Sequence, residues 1–232
     1  MLGAFPLSEP GTWQPNLPEL WEMEATGAIV DLASAQHPNA AALLRKKGVF
    51  LDRDGTLIRH REYLTDSFDL ELFEATWEAV RLLNRNRIPA VVITNQSSIA
   101  RGLLSEKELL AIHSEMQARL RLHGAFLDAF YYCPHHPTEG EPPYRRNCMC
   151  RKPQPGLILR AADELGLSPR LSFMVGDSQS DVEAGRRAGC RTVLISETEG
   201  GGNNSRSERD SSADFAATDV LEAVHWILGE IN

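Results

Sequence analysis

Five short apolar runs, each followed by a stretch of helical periodicity, limit this chain to very few folds. The runs are GVFLD (48–52), PAVVIT (89–94), DAFYYC (128–133), LSFMVG (171–176) and RTVLIS (191–196). They are rich in β-branched and aromatic residues, too short for core helices, and do not alternate polar with apolar, so they read as strands buried on both faces. Between or after them lie FEATWEAVRLLNRN (73–86), SEKELLAIHSEMQARLRLHG (105–124), GLILRAADELG (156–166) and SDVEAGRRAG (180–189), whose apolar positions recur at helical spacing. Strand and helix in alternation predict an α/β fold, a doubly wound Rossmann-like parallel sheet between two helical layers. Ser105 with Glu108 three residues on forms a capping-box signature, and Gly124 is a natural helix stop.

The two ends carry less signal. Residues 1–47, with PLSEPGTW and LPELWEME, read as an irregular extension with one or two helical turns, and the domain proper runs from 48 to 232. The segment 197–213 is Gly, Ser and charge with almost nothing apolar, which predicts a mobile loop. TDVLEAVHWILGEI then reads as a closing helix. No run approaches the roughly 20 apolar residues of a membrane span, and a net charge of −8 argues against a nucleic-acid surface. The start of the chain lacks both the basic and the apolar regions of a secretory signal. The reading is therefore a cytoplasmic protein, a monomer or small homo-oligomer, whose four cysteines are reduced or metal-bound.

Ligands of such sheets bind beyond the carboxyl ends of the strands, so the residues at those ends are the informative ones. The first run ends in FLDRDGTL, where Asp52 and Asp54, two apart in extended chain, point the same way. Two facing carboxylates need a cation or a shared proton, and Mg²⁺ is the natural occupant. The second run ends at Thr94 and Asn95. The fourth ends in MVGDSQSD, adding Asp177 and, one helical turn on, Asp181, which is either a partner of the site or an ordinary acid in a first helical turn. Lys152 enters from the loop after the third run.

That loop, 133–152, holds three of the four cysteines. Cys133, His135, Cys148 and Cys150 form a C-x-H…C-x-C set suited to a closed, structural zinc site. Two disulfides or idle thiols are the alternative, but Cys148 and Cys150 are too close for an easy mutual bridge, and a cytosolic chain would not keep disulfides. His136 reads as a loop residue, Cys190 as a small buried residue, and Trp77 and Val80 as core.

DRDGT, the Thr of ITNQS, the Lys of CRKP and the acidic pair of GDSQSD occur in the order of the four motifs of haloacid dehalogenase superfamily phosphatases, and residues 49–195 resemble that superfamily. The resemblance implies that Asp52 is the nucleophile and Asp54 the general acid/base. It implies that Thr94 and Lys152 hold the phosphoryl oxygens, and that a carboxylate of Asp52, the backbone carbonyl of Asp54 and the side chain of Asp177 hold Mg²⁺. CPHHP, TNQSSIARG and the zinc-ligand spacing resemble the zinc-bearing branch that contains heptose 1,7-bisphosphate 7-phosphatases and histidinol phosphate phosphatase domains. In that branch Arg53, His60, Tyr63, Asn95, Gln96, Ser97 and Arg151 fall where substrate contacts are made, which implies a small phosphorylated metabolite, a sugar bisphosphate before histidinol phosphate. Ile58, Ser98 and Ser178 depart from the branch pattern, in which Asn, Gly and Lys are usual. The short interval between Gly55 and the second run leaves little room for a cap domain. A phosphoacceptor signalling domain would share Asp, Thr and Lys but has no use for Asp54, and an inactive zinc-stapled binding module would have lost at least one motif.

Overall fold

The computed structural model describes residues 12–13, 46–61, 64–196 and 213–231. Among them the order is β1 (Thr12–Trp13), β2 (Val49–Leu51), α1 (Glu74–Arg85), β3 (Ala90–Asn95), α2 (Glu106–Leu122), β4 (Ala129–Cys133), α3 (Gly156–Glu164), β5 (Phe173–Gly176), α4 (Gln179–Ala188), β6 (Arg191–Ile195), β7 (Phe215–Ala217) and α5 (Val220–Ile231). The sheet runs β1-β4-β3-β2-β5-β6-β7. Strands β2 to β7 are parallel to their neighbours, while β1 lies antiparallel against β4.

Strand geometry sends successive side chains to opposite faces, and the central strand shows the result. Val49 and Leu51 join a core with Ala79, Val80 and Leu83 of α1, Leu109, Ile112 and Met116 of α2, and Val224 and Ile227 of α5. Phe50 joins a second core with Leu157 and Ile158 of α3 and Ala184 of α4. All three β2 residues are fully buried, so truncating any one would cost on the order of 2–5 kcal/mol. The expected doubly wound three-layer fold is present.

Helix α2 begins with the expected capping box: the Ser105 hydroxyl accepts from the Glu108 amide at 3.2 Å, and the Glu108 carboxylate accepts from the Ser105 amide at 2.7 Å. Gly124 follows its last turn with φ +68°. Two strands escape the sequence reading. Thr12 and Trp13 lie in the extension read as irregular, yet pair with Tyr131 and Phe130 on the edge of β4, and Phe215–Ala217 extends the far edge beside β6. The rest of residues 1–45 and residues 197–212, the expected mobile loop, lie outside the described residues. Only turns, a short 3₁₀ segment at Ser67–Asp69 and α1 are described between β2 and β3, so no cap domain is inserted there.

Candidate active site

The site is built where β2, β3 and β5 stop, at the edge of the sheet to which the loop after β4 returns. Asp52 follows β2 directly and is 7 % exposed. Its Oδ1 accepts from Lys152 Nζ at 2.5 Å, which also donates to the carbonyl of Ile93 at 2.8 Å and lies 2.6 Å from Asp181 Oδ1. Asp181 itself is 1 % exposed, and its Oδ2 accepts from the amide and hydroxyl of Ser178, capping α4. One ammonium thus sits between two buried carboxylates. Burial works against the charged lysine, but Asp181 and Asp52 outweigh it and drive its pKa up. Burial raises the pKa of the Asp52 carboxyl and the Lys152 ammonium pulls it back down. Desolvation, with Asp181 nearby, pushes Asp177 up to about 6. Oxygens of Asp52, Asp177 and Asp181 all lie within 4.8 Å of one another, a set of hard ligands that suits Mg²⁺.

Asp54 belongs to a different group. The chain turns after it at Gly55, which has φ +81°, and its carboxylate faces a second cation. Arg53 Nε and Nη2 donate to Asp54 Oδ2 and Oδ1 at 3.1 and 3.0 Å. Gln96 Nε2 donates to Asp54 Oδ2 at 2.8 Å and to Thr94 Oγ1 at 2.8 Å, and the Thr94 hydroxyl lies 3.5 Å from the same carboxylate oxygen. Burial alone would raise the Asp54 pKa, but the Arg53 charge and these hydrogen bonds prevail and hold it below the usual value.

Four soft or borderline ligand atoms meet beside this site. Cys133 Sγ lies 3.5 Å from Cys148 Sγ and 3.3 Å from Cys150 Sγ, Cys148 and Cys150 are 3.2 Å apart, and His135 Nδ1 is 3.6 and 3.3 Å from Cys133 and Cys150. A tetrahedron with Zn–S bonds of about 2.3 Å has edges of about 3.8 Å, so slight expansion of this cluster would admit the ion. Hydrogen bonds from Cys133 and other neighbours hold the Cys150 thiol down at about 5, so one thiolate is already favoured where zinc requires thiolates. No disulfide joins the described cysteines.

The HAD-hydrolase-like family model matches residues 149–225. Over 153 residues the chain is 42% identical to the D-glycero-beta-D-manno-heptose-1,7-bisphosphate 7-phosphatase of Pasteurella multocida (strain Pm70), a match covering 66% of this chain and 83% of the relative. It is 36% identical over 181 residues to the enzyme of that name from Photorhabdus laumondii, covering 78% and 95%. The chain belongs to this phosphatase family. A crystal structure of D,D-heptose 1,7-bisphosphate phosphatase from B. bronchiseptica, complexed with magnesium and phosphate, superposes on the phosphatase with TM-score 0.69 at 29% identity, covering 80% of this chain and 99% of that one. A HAD-like phosphatase from Mesorhizobium loti superposes with TM-score 0.73 at 28% identity, covering 98% and 96%.

Several side chains expected at the substrate have other partners in the phosphatase. Arg53 is 1 % exposed, its guanidinium taken up by Asp54, Gln96 and His113, so it acts on the site through Asp54. Asn95 clamps the lysine loop, donating to the Lys152 carbonyl at 3.1 Å and accepting from its amide at 3.0 Å. Gln96 is 4 % exposed and orients Asp54 and Thr94. Ser97 accepts from Arg101 Nη1 at 3.2 Å. His60 is exposed and near enough to Asp54 and Asp177 to lower both their pKa values slightly. Arg151 donates to the His135 carbonyl at 3.2 Å and, with Lys152, lines a cleft of about 510 Å³. Tyr63 lies outside the described residues. His136 is a loop residue, as expected: its Nδ1 accepts from the Glu139 amide at 2.9 Å. Among the three departures, Ile58 is a core residue at 1 % exposure, and Ser178 completes the α4 cap with Asp181. The sequence left Asp181 undecided; its carboxylate lies 2.6 Å from Lys152 Nζ, in the cluster around Asp52. His113 was not singled out at all, though an imidazole at the apolar spacing of Leu109, Ile112 and Met116 was its one visible signal.

Proposed function

We propose that this phosphatase removes the 7-phosphate of D-glycero-β-D-manno-heptose 1,7-bisphosphate through an aspartyl-phosphate intermediate. The observation that carries the mechanism is the meeting of Asp52, Lys152 and Asp181 at one strand edge with Asp54, Thr94 and Gln96 beside them, and the names of the relatives supply the substrate. Lys152 occupies Oδ1 of Asp52, leaving Oδ2 as the oxygen that attacks phosphorus. The bond from phosphorus to the C7 oxygen breaks as the Asp52–phosphorus bond forms, and Asp54 gives that oxygen a proton. Asp54 then takes a proton from water, whose oxygen displaces Asp52 and releases orthophosphate. In the resting site the Arg53 pair keeps Asp54 ionised. A phosphate dianion beside it raises its proton affinity, so Asp54 takes up a proton from solvent as the substrate binds. Lys152 and the Thr94 hydroxyl meet the charge that spreads over the transferring group.

Asp52, Asp177 and the backbone carbonyl of Asp54 would hold Mg²⁺, with Asp181 close by. When bound, the ion offsets the repulsion between these carboxylates and the phosphate dianion. Cys133, His135, Cys148 and Cys150 would hold a structural zinc that braces the loop carrying Arg151 and Lys152. Among the described residues no helix is long and apolar enough to cross a membrane. Reduced thiols for zinc and a phosphorylated metabolite as substrate both fit a cytoplasmic enzyme.

The deciding experiment measures initial phosphate release with Mg²⁺ from both anomers of the heptose 1,7-bisphosphate and from histidinol phosphate. The β anomer should give kcat/KM of about 10⁵ M⁻¹s⁻¹ or more and histidinol phosphate far less, while Asp52→Asn should abolish release. Slow and equal rates on all three would refute the substrate, and turnover by Asp52→Asn would refute the mechanism.

A further inference from the structure

Arg53 reaches Asp54 from a buried position, and what holds Arg53 is a histidine that no motif includes. His113 stands on the core face of α2 with its side chain fully buried, stacked on Phe130 at 4.6 Å between ring centres and edge-on to Tyr132 at 6.0 Å. Its Nε2 lies 3.3 Å from Arg53 Nη1. A guanidinium can only donate, so Nε2 accepts and the ring proton sits on Nδ1. Among the described residues that nitrogen has no hydrogen-bond partner. A buried unpaired donor costs about 1–3 kcal/mol, which an apolar side chain at this place would avoid. Among the described residues the polar contact obtained in return is the one to Arg53.

We propose that His113 is a positioning residue for phosphoryl transfer: as a neutral acceptor it fixes the Arg53 guanidinium, and through it the plane of the Asp54 carboxylate. The four contacts of the guanidinium divide the work. Nε and Nη2 grip both oxygens of Asp54, Nη2 also donates to Gln96 Oε1 at 2.9 Å, and Nη1 is anchored on His113. Without the anchor, Nη1 becomes a buried donor in an aromatic pocket, and the fork turns towards whatever acceptor or water it can find. Asp54 turns with it, and a proton donor is effective only within hydrogen-bond reach of the leaving oxygen.

The inference rests on the acid/base role proposed for Asp54 and separates from the substrate assignment in its test. The enzymes compared are wild type, His113→Phe, which keeps a ring and has no acceptor, and His113→Gln, whose amide oxygen can accept from Arg53. Rapid quench measures the first turnover of an alkyl phosphate and of p-nitrophenyl phosphate, whose leaving group departs without a proton. The alkyl ester is whichever of the heptose bisphosphate and histidinol phosphate the wild-type enzyme turns over, so a wrong substrate shows in the wild type and not in the comparison. His113→Phe should slow the alkyl ester on the order of 10-fold, within the 10²- to 10⁴-fold such a proton donor supplies. KM should be nearly unchanged, the aryl ester should slow by less than about 2-fold, and His113→Gln should recover most of the loss. Equal slowing of both esters, no slowing of either, or no recovery in a folded His113→Gln protein overturns the proposal.

Discussion

Gly55 offers a perturbation whose two consequences can be worked out separately. It sits in the turn just after Asp54, with φ +81°, and a Cβ built on it would lie 2.1 Å from Asp177 Oδ2 and 2.7 Å from its Cγ. Gly55→Ala therefore meets a backbone cost and a steric one. A left-handed conformation costs a non-glycine residue about 1–2 kcal/mol, which for a chain of this size lowers Tm by about 2–8 °C. The steric cost falls on an exposed side chain, so Asp177 can retreat, by more than an ångström, and little further stability is lost. What is lost is the position of the carboxylate proposed to hold Mg²⁺. A displacement of about 1 Å at a reacting centre can cost on the order of 100-fold, so the Mg²⁺ concentration for half-maximal activity should rise at least about 10-fold, with activity partly recovered at high Mg²⁺. Gly166→Ala is the matched control: φ is +64° and nothing lies within 4 Å of its Cβ. It should show the same loss in Tm and no change in Mg²⁺ dependence. A Gly55→Ala enzyme with wild-type Mg²⁺ dependence would refute the placing of Asp177 at the metal.

Cys148→Ser should lower zinc content, measured by atomic absorption, and Tm together, because the energy of a structural zinc site is folding energy; zinc-free wild-type protein that melts unchanged would refute the brace. Stability should also fall in acid because of His113, which burial and the Arg53 charge keep well below its ordinary pKa. The folded state leaves that ring neutral while the unfolded chain protonates it below about 6.5, so its contribution is complete above that pH and declines below it, by at most about 1.4 kcal/mol per pH unit. Denaturant titrations at pH 7 and pH 5 should show a smaller loss for His113→Gln than for wild type, and equal losses would contradict a neutral buried ring.

The central strands were legible because a strand covered on both faces is apolar along its buried length: β2, β4 and β5 are so throughout, and β3 and β6 depart from it only at one end. The edges were not. Thr12–Trp13 is two residues long and gains its pairing from β4, and Phe215–Ala217 carries two alanines that no propensity marks as strand. Helices with a cap in the sequence, α2 above all, were placed within a residue or two. The cluster of Cys133, His135, Cys148 and Cys150 was legible because four metal-ligand side chains in one loop are chemically conspicuous, and Asp52 and Thr94 because strand ends locate them without knowledge of side-chain direction.

Direction is what the sequence withheld. Asp52 and Asp54 were expected to point alike because an extended chain would make them do so, but the strand stops at Leu51 and the chain bends at Arg53, and the two carboxylates acquire different cations. Asp52 takes Lys152, together with Asp181; Asp54 takes Arg53, together with Gln96. The separation has a chemical use. A nucleophile must be ionised while held against a phosphate, and a proton donor must exchange its proton within each turnover, so the two carboxylates need different neighbours rather than a shared one. Arg53, Asn95 and Gln96, expected near the substrate because they lie in the motifs, hydrogen-bond to those same groups or to the loop that carries Lys152. Several of the motif side chains thus hold the two carboxylates in separate surroundings. His113 lies outside every motif because it touches the chemistry at one further remove, and only the path from its Nε2 through one guanidinium to Asp54 makes it visible.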